Sequence, residues 1–408
     1  MRKVLVALIT CVVALAGVGV IFVASASTVR ATNLYGDPQF FLTRQLVWLG
    51  VSIGLCLIAA RFDYHLWVRS RWLQWTLLAI TLLGLLAVFA PGVGHKSHGS
   101  FRWVGWGPLR FQPSEIAKLA TVILLSAWMS SIGWRVRTLW KGFLLPMMIL
   151  GVVLLLLMKE PDFGATFVVA VVGGLVLFVA GARFLFLACS AALGVLAFAG
   201  MILHDPVRGE RVMVYVVKLF GKDSAVTQML ASGLHKTVEE VLIGVEHSNK
   251  KQHAEQSVLA FVNGGTFGVG LNNSMQKHYY LPEAHTDFIY AIAGEECGLP
   301  ATLGVLLAFG GILICGLLIA SRAPDRLGRL MAFGLTVLLV FQAFFNIGVV
   351  TDCLPTKGLA LPFISYGGSN LMTAFIAIGV LINIGIHIEQ PDEHVRAHLY
   401  DGVLHDKF

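Results

Sequence analysis

The chain has 408 residues, of which 57% are hydrophobic and only 13% are charged. Soluble globular domains carry about a quarter charged residues, so the composition excludes an ordinary soluble protein. The formal net charge is +7, but the basic residues are spread through the loops, which argues against nucleic-acid binding. Apolar runs of about 20 residues, long enough to cross a bilayer as helices, recur along the chain. The short alternating segments of a membrane β-barrel are absent. The predicted class is an all-α, polytopic integral membrane protein.

Ten apolar segments are predicted as transmembrane helices. The first begins after a short basic start and is longer than the apolar region of a signal peptide, so we expect it to be retained. The long eighth segment is expected to include an interfacial portion. The segments are 4–27, 41–60, 73–92, 114–132, 143–158, 165–181, 183–203, 286–320, 330–350 and 366–388.

Lysine and arginine are distributed unevenly between the two sets of loops. The set that includes both termini holds twelve of them, and the short loops opposite hold about seven. The positive-inside rule therefore predicts that both termini, including the tail 391–408, are cytoplasmic. The segment 93–112, the KEPDFG and TDCLPTKG loops and the long polar loop 204–285 would then face outward.

Residues 100–120 (SFRWVGWGPLRFQPSEIAKLA) join an outer loop to the fourth segment. Pro113 suits the first helical turn, and Ser114 is a candidate cap. Glu115 and Lys118 share a helix face. They either form an ion bridge that fixes helix packing or line a substrate pathway. Trp103 is either a membrane-interface anchor or a surface on which a sugar stacks.

Two further outward loops carry charged residues. In KEPDFGATF (159–167), Asp162 is a helix cap or a substrate contact, since an acid near a helix N-terminus interacts favourably with the helix dipole. In DPVRGERV (205–212), Arg208 and Arg211 suit phosphate oxygens or anionic lipid headgroups. The Gly- and Asn-rich stretch 261–277 is predicted to be a turn or loop rather than a helix.

The stretch LPEAHTDFIYAIAGEECG places Glu283 and Asp287 at the start of the eighth segment, with Glu295 and Glu296 about two turns deeper. An acid near hydrocarbon without a neighbouring base should have a raised pKa, which suits proton abstraction. The alternative is an interfacial helix cap.

In 351–371, prolines and glycines forbid a plain helix, and broken backbone at membrane depth requires cover by protein or water. This segment is predicted to line a cavity, with Lys357 and Ser365 as polar contributors.

Cysteine and histidine give no metal signal in the sequence. The six cysteines form no CxxC pair, so neither zinc nor a disulfide framework is suggested. The thirteen histidines are interpreted as ordinary solvated residues.

Four separated stretches together resemble the SEDS family (shape, elongation, division and sporulation) of bacterial cell-wall polymerases. PTKGL and NSMQK resemble the FtsW division branch more than the RodA elongation branch. The resemblance covers about residues 4–390, read as one SEDS membrane domain (1–390). The stretches are RWVGWGPLRFQPSEIAKL, EPDFGATFVV, LPEAHTDFIYAIAGEECG and LPTKGLALPFISYGGSNL.

The resemblance implies a peptidoglycan glycosyltransferase that polymerises lipid II at the outer face of the cytoplasmic membrane, at the division septum. Its implied partners are a class B penicillin-binding transpeptidase and other divisome membrane proteins. Asp287 of the HTDF motif matches the family's essential catalytic acid. The matching cavity and loop positions are Arg102, Trp103, Glu115, Lys118, Asp162, Arg208, Arg211, Gln252 and Gln256.

The departures from the family pattern cluster in the outer loop. The aromatic-rich stretch after the paired arginines is not recognisable, an apparent insertion occupies about 218–251, and Asn272 stands where glycine is usual. These differences affect the contacts expected of the loop and leave the core motifs intact.

The reaction requires a base for the sugar hydroxyl and positive charge for the pyrophosphate that leaves. Asp287 is the predicted base, and Glu283 and Ser365 are predicted substrate contacts. A divalent cation, Mg²⁺ or Mn²⁺, is one further source of positive charge. Two alternatives stay open: a lipid II flippase, disfavoured because the polar motifs concentrate on one face, and a non-catalytic divisome scaffold. The candidate phosphate contacts are Arg102, Lys118, Arg208, Arg211 and Lys357.

Overall fold

The computed structural model describes residues 1–97, 100–106, 109–204, 249–278, 281, 283–354 and 358–389, with isolated positions between 216 and 232. Each of the ten predicted segments coincides with a helix. The helices are α1 (Arg2–Tyr35), α2 (Phe40–Arg61), α3 (Leu66–Arg69), α4 (Arg71–Ala87), α5 (Pro113–Ser131), α6 (Leu145–Lys159), α7 (Phe163–Val179), α8 (Phe184–His204), α9 (Asn249–Gly264), α10 (Ile289–Arg322), α11 (Arg326–Val350) and α12 (Gly368–Glu389).

Six helices in the described ranges are long and apolar enough to cross a membrane. They are α1, α2, α10, α11, α12 and the helix Trp140–Lys159, in which a π-helical turn precedes α6. Helices α4 and α7 and the first part of α8 are apolar but shorter. The prediction of a polytopic helical membrane protein is confirmed, and the count of ten crossings stays a prediction.

A small antiparallel sheet replaces the plain outer loop expected between α4 and α5. Its strands are β1 (Gly94–Ser97), β2 (Ser100–Trp106) and β3 (Leu109–Phe111), in the order β1-β2-β3. Strand β3 leads directly into α5. The sheet therefore gives Arg102 of β2 a fixed place beside the start of that helix.

Contacts between distant segments sort the loops of the bundle into two ends. At one end, the Met1 amino group lies 3.2 Å from the Glu389 carboxylate, and Arg326 donates to the Gly133 carbonyl oxygen (2.9 Å). These segments belong to the set with more lysine and arginine. The structure thus groups the loops as the charge asymmetry predicted, and which end faces the cytoplasm stays a prediction.

The other end gathers the polar motifs. The Gln112 amide donates to the Ser369 hydroxyl (3.0 Å), and Arg30 at the end of α1 pairs with Glu283 (3.0 Å). Residues 93–97, 100–106, 109–112, 159–163, 283–288 and 358–368 therefore meet at one end of the bundle. We call it the Asp287 end.

The segment 358–367 is broken backbone enclosed by protein, as its prolines and glycines predicted. Leu361, Phe363 and Ser365 are at most 1% exposed. Helix α1 approaches this segment closely at Gly19, where a β-carbon would lie 2.6 Å from the Phe363 carbonyl oxygen. A glycine is therefore required where α1 passes the broken segment.

Helix α10 is interrupted at Gly298, which has φ 64° and is followed by Pro300. The interruption packs against the loop after α9, where the Leu299 amide donates to the Thr266 carbonyl oxygen (3.2 Å). The prediction that all of 261–277 is loop is wrong at its start, because α9 extends to Gly264. The first four residues, FVNG, continue the helix, and the glycine-rich part after them forms the loop.

Candidate active site

Asp287 lies on the turn that leads into α10. The amides of Thr286 and Asp287 each donate to the Glu283 carbonyl oxygen (3.1 Å), and Glu283 takes a positive φ of 56° to close the turn. Helix α10 begins at Ile289, so Asp287 precedes it. The Asp287 side chain is partly exposed, and a partly exposed carboxylate at a helix entrance can meet a substrate.

Two polar side chains from other elements hold the backbone of this turn. Asn346 of α11 donates to the Asp287 carbonyl oxygen (2.9 Å), and the Ser365 hydroxyl donates to that of Thr286 (2.6 Å). Ser365 also accepts from the Leu361 amide (2.7 Å) and is fully buried. The structure therefore places Ser365, a predicted substrate contact, where it orients the Asp287 turn.

Gly358 brings the broken segment against the Asp287 carboxylate. A β-carbon built on Gly358 would overlap the Asp287 Oδ2 atom, so any other residue would displace the carboxylate. Lys357, the preceding residue and a predicted phosphate contact, lies outside the described residues.

Glu283 supplies a fixed negative charge beside Asp287. Its carboxylate pairs with Arg30 (3.0 Å) and accepts from the Thr286 hydroxyl (3.0 Å). Burial raises the pKa of Glu283, but Arg30, His285 and Thr286 outweigh it, and that pKa falls below its ordinary value. Glu283, a predicted substrate contact, is therefore an ionised partner of Arg30.

Arg102 and Asp162 bring two further charges to the Asp287 end. Arg102 on β2 donates to the Pro161 carbonyl oxygen (2.6 Å), while its Nε atom is buried without a hydrogen-bond partner. The guanidinium thus has one donor, the Nε–H group, that no described acceptor satisfies.

Asp162 caps α7, as one of its two interpretations predicted. Its Oδ1 accepts from the Ala165 amide (3.2 Å), and its Oδ2 accepts from the Ser114 hydroxyl (3.2 Å). The prediction that Ser114 caps α5 is wrong. Gln112 occupies the cap position and provides no side-chain cap, and the Ser114 hydroxyl serves Asp162 instead.

Burial and the neighbouring charges together set the pKa of Asp287. Burial raises the pKa of Asp287 to about 7, the Glu283 and Asp162 carboxylates raise it further, and Arg102 opposes them. These groups therefore lie within electrostatic reach of one another. A carboxylate with a pKa near the working pH is suited to general-base catalysis.

Glu160 is a fourth acid of this end that the sequence interpretation missed. It is 0% exposed, and neither carboxylate oxygen has a hydrogen-bond partner. Burial raises the pKa of Glu160 to about 8, with Asp162 adding to the rise and Arg102 opposing it. The acid directly precedes Pro161 in KEPDFG, but an isolated glutamate at the end of a helix gives no sign of burial in the sequence.

Glu115 and Lys118 form an ion bridge, as the first of their two interpretations predicted. Their charged atoms are 2.8 Å apart, and both residues are buried, at 6% and 2% exposure. Lys118 also donates to Gln342 (2.6 Å), and Gln342 donates to the Ala360 carbonyl oxygen (2.8 Å). The pair thus joins α5 and α11 to the broken segment that touches Asp287.

The remaining predicted residues lie at the sheet, on α9 or outside the description. Trp103 pairs with His95 across β1 and β2 and is partly exposed. Gln256 is partly exposed on α9. Gln252 also lies on α9, and its side chain is outside the description, as are residues Arg208 and Arg211 and most of the insertion 218–251.

Glu295 and Glu296 serve the fold rather than the site. Glu295 accepts from the Ser274 hydroxyl and from the Gln276 amide (3.3 Å). Glu296 pairs with Lys277 (3.0 Å), with both side chains nearly fully buried. We call Glu295, Glu296, Ser274 and Lys277 the α10 acid cluster, and it pins the loop after α9 to the first part of α10.

The acids of the Asp287 end are candidate ligands for the predicted divalent cation. Within the described ranges, three ligand atoms do not come within 4.8 Å of one another at this end. A cage made only of protein ligands is therefore not formed there by the described residues. Mg²⁺ is commonly held by one or two carboxylates together with substrate phosphates, and Asp162 and Asp287 fit that mode. The cation stays a prediction.

Comparison with known proteins gives the family. Residues 6–390 match the model of the FtsW, RodA and SpoVE proteins, described as "Cell cycle protein". The chain belongs to this SEDS family. A Geobacter sulfurreducens relative named "Probable peptidoglycan glycosyltransferase FtsW" is 36% identical over 377 residues, 92% of this chain and 94% of the relative. A Marinobacter nauticus relative of the same name is 38% identical, over 91% of this chain and 87% of the relative.

Solved SEDS structures share the fold. A chain from the structure called "Structural coordination of polymerization and crosslinking by a peptidoglycan synthase complex" has a TM-score of 0.68 and 26% identity, over 94% of this chain and 98% of that chain. The crystal structure of the Thermus thermophilus rod shape determining protein RodA has a TM-score of 0.61 at 24% identity, over 93% and 95%. The second likeness concerns the fold alone.

Proposed function

We propose that this SEDS protein is a peptidoglycan glycosyltransferase that polymerises lipid II at the outer face of the cytoplasmic membrane during cell division, with Asp287 as general base. The observation that carries the site assignment is Asp287 itself, a partly exposed residue whose pKa is raised by burial to about 7, with Arg102 within electrostatic reach. The names of the curated relatives support the reaction class.

In the proposed step, the 4-hydroxyl of the acceptor N-acetylglucosamine attacks the anomeric carbon of the growing strand. A carbon–oxygen bond forms, the bond to the lipid pyrophosphate breaks, and polyprenyl pyrophosphate leaves with the electron pair. The hydroxyl proton passes to Asp287. A positioned base of matched pKa contributes about 10²–10⁴-fold to such a reaction.

Arg102 is the described cation best placed for the pyrophosphate. Its Nε atom has no protein acceptor, and guanidinium groups bind phosphate oxygens in a bidentate manner. Lys118 was an alternative, but its ammonium group is buried between Glu115 and Gln342. Lys118 therefore acts through packing, and Arg208, Arg211 and Lys357 stay predictions.

The membrane fold suits substrates with lipid tails. Large apolar side chains are exposed on several helices, for example Leu57 on α2 and Leu155 on α6, as expected where helices face acyl chains. A lipid-linked sugar can approach sideways with its tail in the bilayer. We further propose cytoplasmic termini, location at the septum and a class B penicillin-binding transpeptidase as partner, which the synthase-complex neighbour supports by analogy.

The test is polymerisation of fluorescent lipid II by the purified protein with its transpeptidase partner. We expect Asp287→Asn to lower the polymerisation rate by about 10²-fold or more while folding is retained. Asp37→Asn, which changes an exposed acid near the start of α2, is the matched control and should keep the native rate. Polymerisation by the Asp287→Asn protein at the native rate would overturn the base assignment.

The same preparation separates the flippase and scaffold alternatives. In proteoliposomes, translocation of lipid II without polymer would identify a flippase. An Asp287→Asn protein that supports division in cells would identify a scaffold. Glycan polymer that depends on Asp287 excludes both as complete accounts of the protein.

A further inference from the structure

A cluster of two histidines and one aspartate lies at the end of the bundle opposite Asp287. Asp63 and His65 come from the turn between α2 and α3, and His387 from the last turn of α12. One ligand atom from each residue lies within 4.8 Å of the other two. In the described part of the chain this is the one group of three such side chains that converges to this degree.

The ring of His387 is oriented by a hydrogen bond on its far side. Its Nδ1 atom lies 2.9 Å from the Asn383 carbonyl oxygen, so Nδ1 carries the proton and donates. The other ring nitrogen, Nε2, lies 3.8 Å from Asp63 Oδ1. Metal-binding histidines are commonly held in this way, with the second ring nitrogen donating to a carbonyl or carboxylate oxygen.

His65 has no satisfactory neutral form in this arrangement. Its Nδ1 atom lies 2.7 Å from Asp63 Oδ1, and its buried Nε2 atom, without a hydrogen-bond partner, lies 3.8 Å from Asp325 Oδ1. A neutral imidazole has one donor and one acceptor nitrogen. Either tautomer therefore turns a lone pair toward a carboxylate oxygen. Protonation of both nitrogens or a cation beside Asp63 Oδ1 removes that conflict, and the experiment below separates the two.

The backbone that carries the cluster is tied across the two helices. The Asn383 side chain accepts from the Tyr64 amide (3.2 Å) and donates to the Ala60 carbonyl oxygen (2.8 Å). The turn after α2 and the end of α12 are therefore held in one arrangement without a ligand. The three side chains are only partly exposed, at 29%, 14% and 18% for Asp63, His65 and His387.

We propose that Asp63, His65 and His387 bind a divalent transition-metal ion of the zinc class. Asp63 Oδ1, His65 Nδ1 and His387 Nε2 would be the ligands, with water completing a tetrahedral shell. Two imidazoles favour Zn²⁺, Co²⁺ or Ni²⁺ over Mg²⁺ and Ca²⁺, which prefer oxygen ligands. His65 Nε2 would then donate toward Asp325. The site joins α2 to α12 and is separate from the reaction at Asp287.

The experiment uses the full-length protein in detergent, free of affinity tag and stripped with chelator. The sequence carries three histidines after residue 390, and all samples have His394, His398 and His405 replaced by alanine so that they contribute no ligand. Co²⁺ binding is followed by visible absorption and Zn²⁺ binding by calorimetry, with Mg²⁺ as a third titrant. We expect one Zn²⁺ or Co²⁺ per chain, a rise in melting temperature on binding and no response to Mg²⁺ at this site.

His387→Gln and His65→Gln should each weaken Zn²⁺ binding at least tenfold. His278→Gln, which changes an exposed histidine after α9, should leave it unchanged. If one cluster variant does not fold, the other carries the test, and an unchanged melting temperature of the metal-free variant excludes a general loss of structure.

Three outcomes would overturn the proposal. They are the absence of stoichiometric Zn²⁺ or Co²⁺ binding, binding that survives both histidine substitutions, and titration of the cluster by protons alone in histidine NMR spectra without metal uptake.

Discussion

Asp287 and the acids of the α10 acid cluster lie within ten residues of one another, but their carboxylates have opposite surroundings. Glu295 and Glu296 lie inside α10 and are met by donors that include Lys277. Asp287 lies before the helix, and no described residue donates a hydrogen bond to its carboxylate. Its backbone, in contrast, is held by Asn346. The comparison shows that paired acids hold the fold, while a carboxylate fixed only through its backbone stays available for chemistry.

The largest contrast should be in stability. We expect Glu296→Gln to lower the free energy of unfolding by about 3–5 kcal/mol, because the buried Lys277 ammonium loses its counter-charge. Asp287→Asn should not lower it, because this change removes a carboxylate whose raised pKa opposes folding at neutral pH. Denaturant unfolding of both variants in detergent measures the difference, and the double variant Lys277→Met, Glu296→Leu should recover most of the loss. Equal losses for Glu296→Gln and Asp287→Asn would break the comparison.

Glu160 offers a second contrast, between an unpaired acid with a raised pKa and the paired acids. Its pKa is about 8 in the folded protein against an ordinary 4.5, so the folded form binds the proton more tightly between these values. The wild type therefore loses stability as the pH rises from 4.5 to 8. Glu160→Gln should match it at pH 4.5 and exceed it at pH 8 by roughly 2–4 kcal/mol. Parallel pH-dependence curves for the two proteins would contradict this expectation.

Asn346 tests whether the backbone anchor of Asp287 matters for activity. It donates to the carbonyl oxygens of Asp287 (2.9 Å) and Leu359 (2.5 Å). Asn346→Ala leaves both groups unpaired, which costs about 1–3 kcal/mol, and a displaced carboxylate should lower turnover between about tenfold and a hundredfold. Thr336→Ala, a buried residue of α11 whose hydroxyl donates to the Ala332 carbonyl oxygen of its own helix, is the control for lost polar contacts. Full activity with reduced stability would make Asn346 structural only.

The smallest expected effect is on the pH dependence of polymerisation. Activity should rise as Asp287 loses its proton, with the midpoint near pH 7. Arg102 lowers the pKa of Asp287 and Glu283 raises it, so Arg102→Gln should move the midpoint up and Glu283→Gln should move it down, each by about one pH unit or less. Arg102→Lys keeps the charge and should leave the midpoint in place. Shifts of the opposite sign would remove Asp287 from the role of base.

The helices and the main acid could be predicted from sequence because their signals are local. Apolar runs marked ten of the twelve described α-helices, all but α3 and α9, and the acid of HTDF marked Asp287. The sheet that carries Arg102 was missed because its strands are short and mixed in composition. Ser114 was assigned to its own helix, whereas its partner Asp162 lies 48 residues away. Burial of Glu160 depends on which loops meet, and no local pattern contains that information.

The interruption of α10 at Gly298 bears on how a span with acidic residues is accommodated by lipid. The part from Pro300 to Arg322 has 23 residues by number and is about 34 Å long at the usual rise. It alone matches the thickness of a hydrocarbon core, and it carries the exposed residues Leu303 and Leu307. The earlier part, Ile289 to Glu296, is buried throughout. The part after the interruption can therefore span the hydrocarbon core by itself. The carboxylates of Glu295 and Glu296 lie in the earlier, buried part, so they are not solvated by acyl chains.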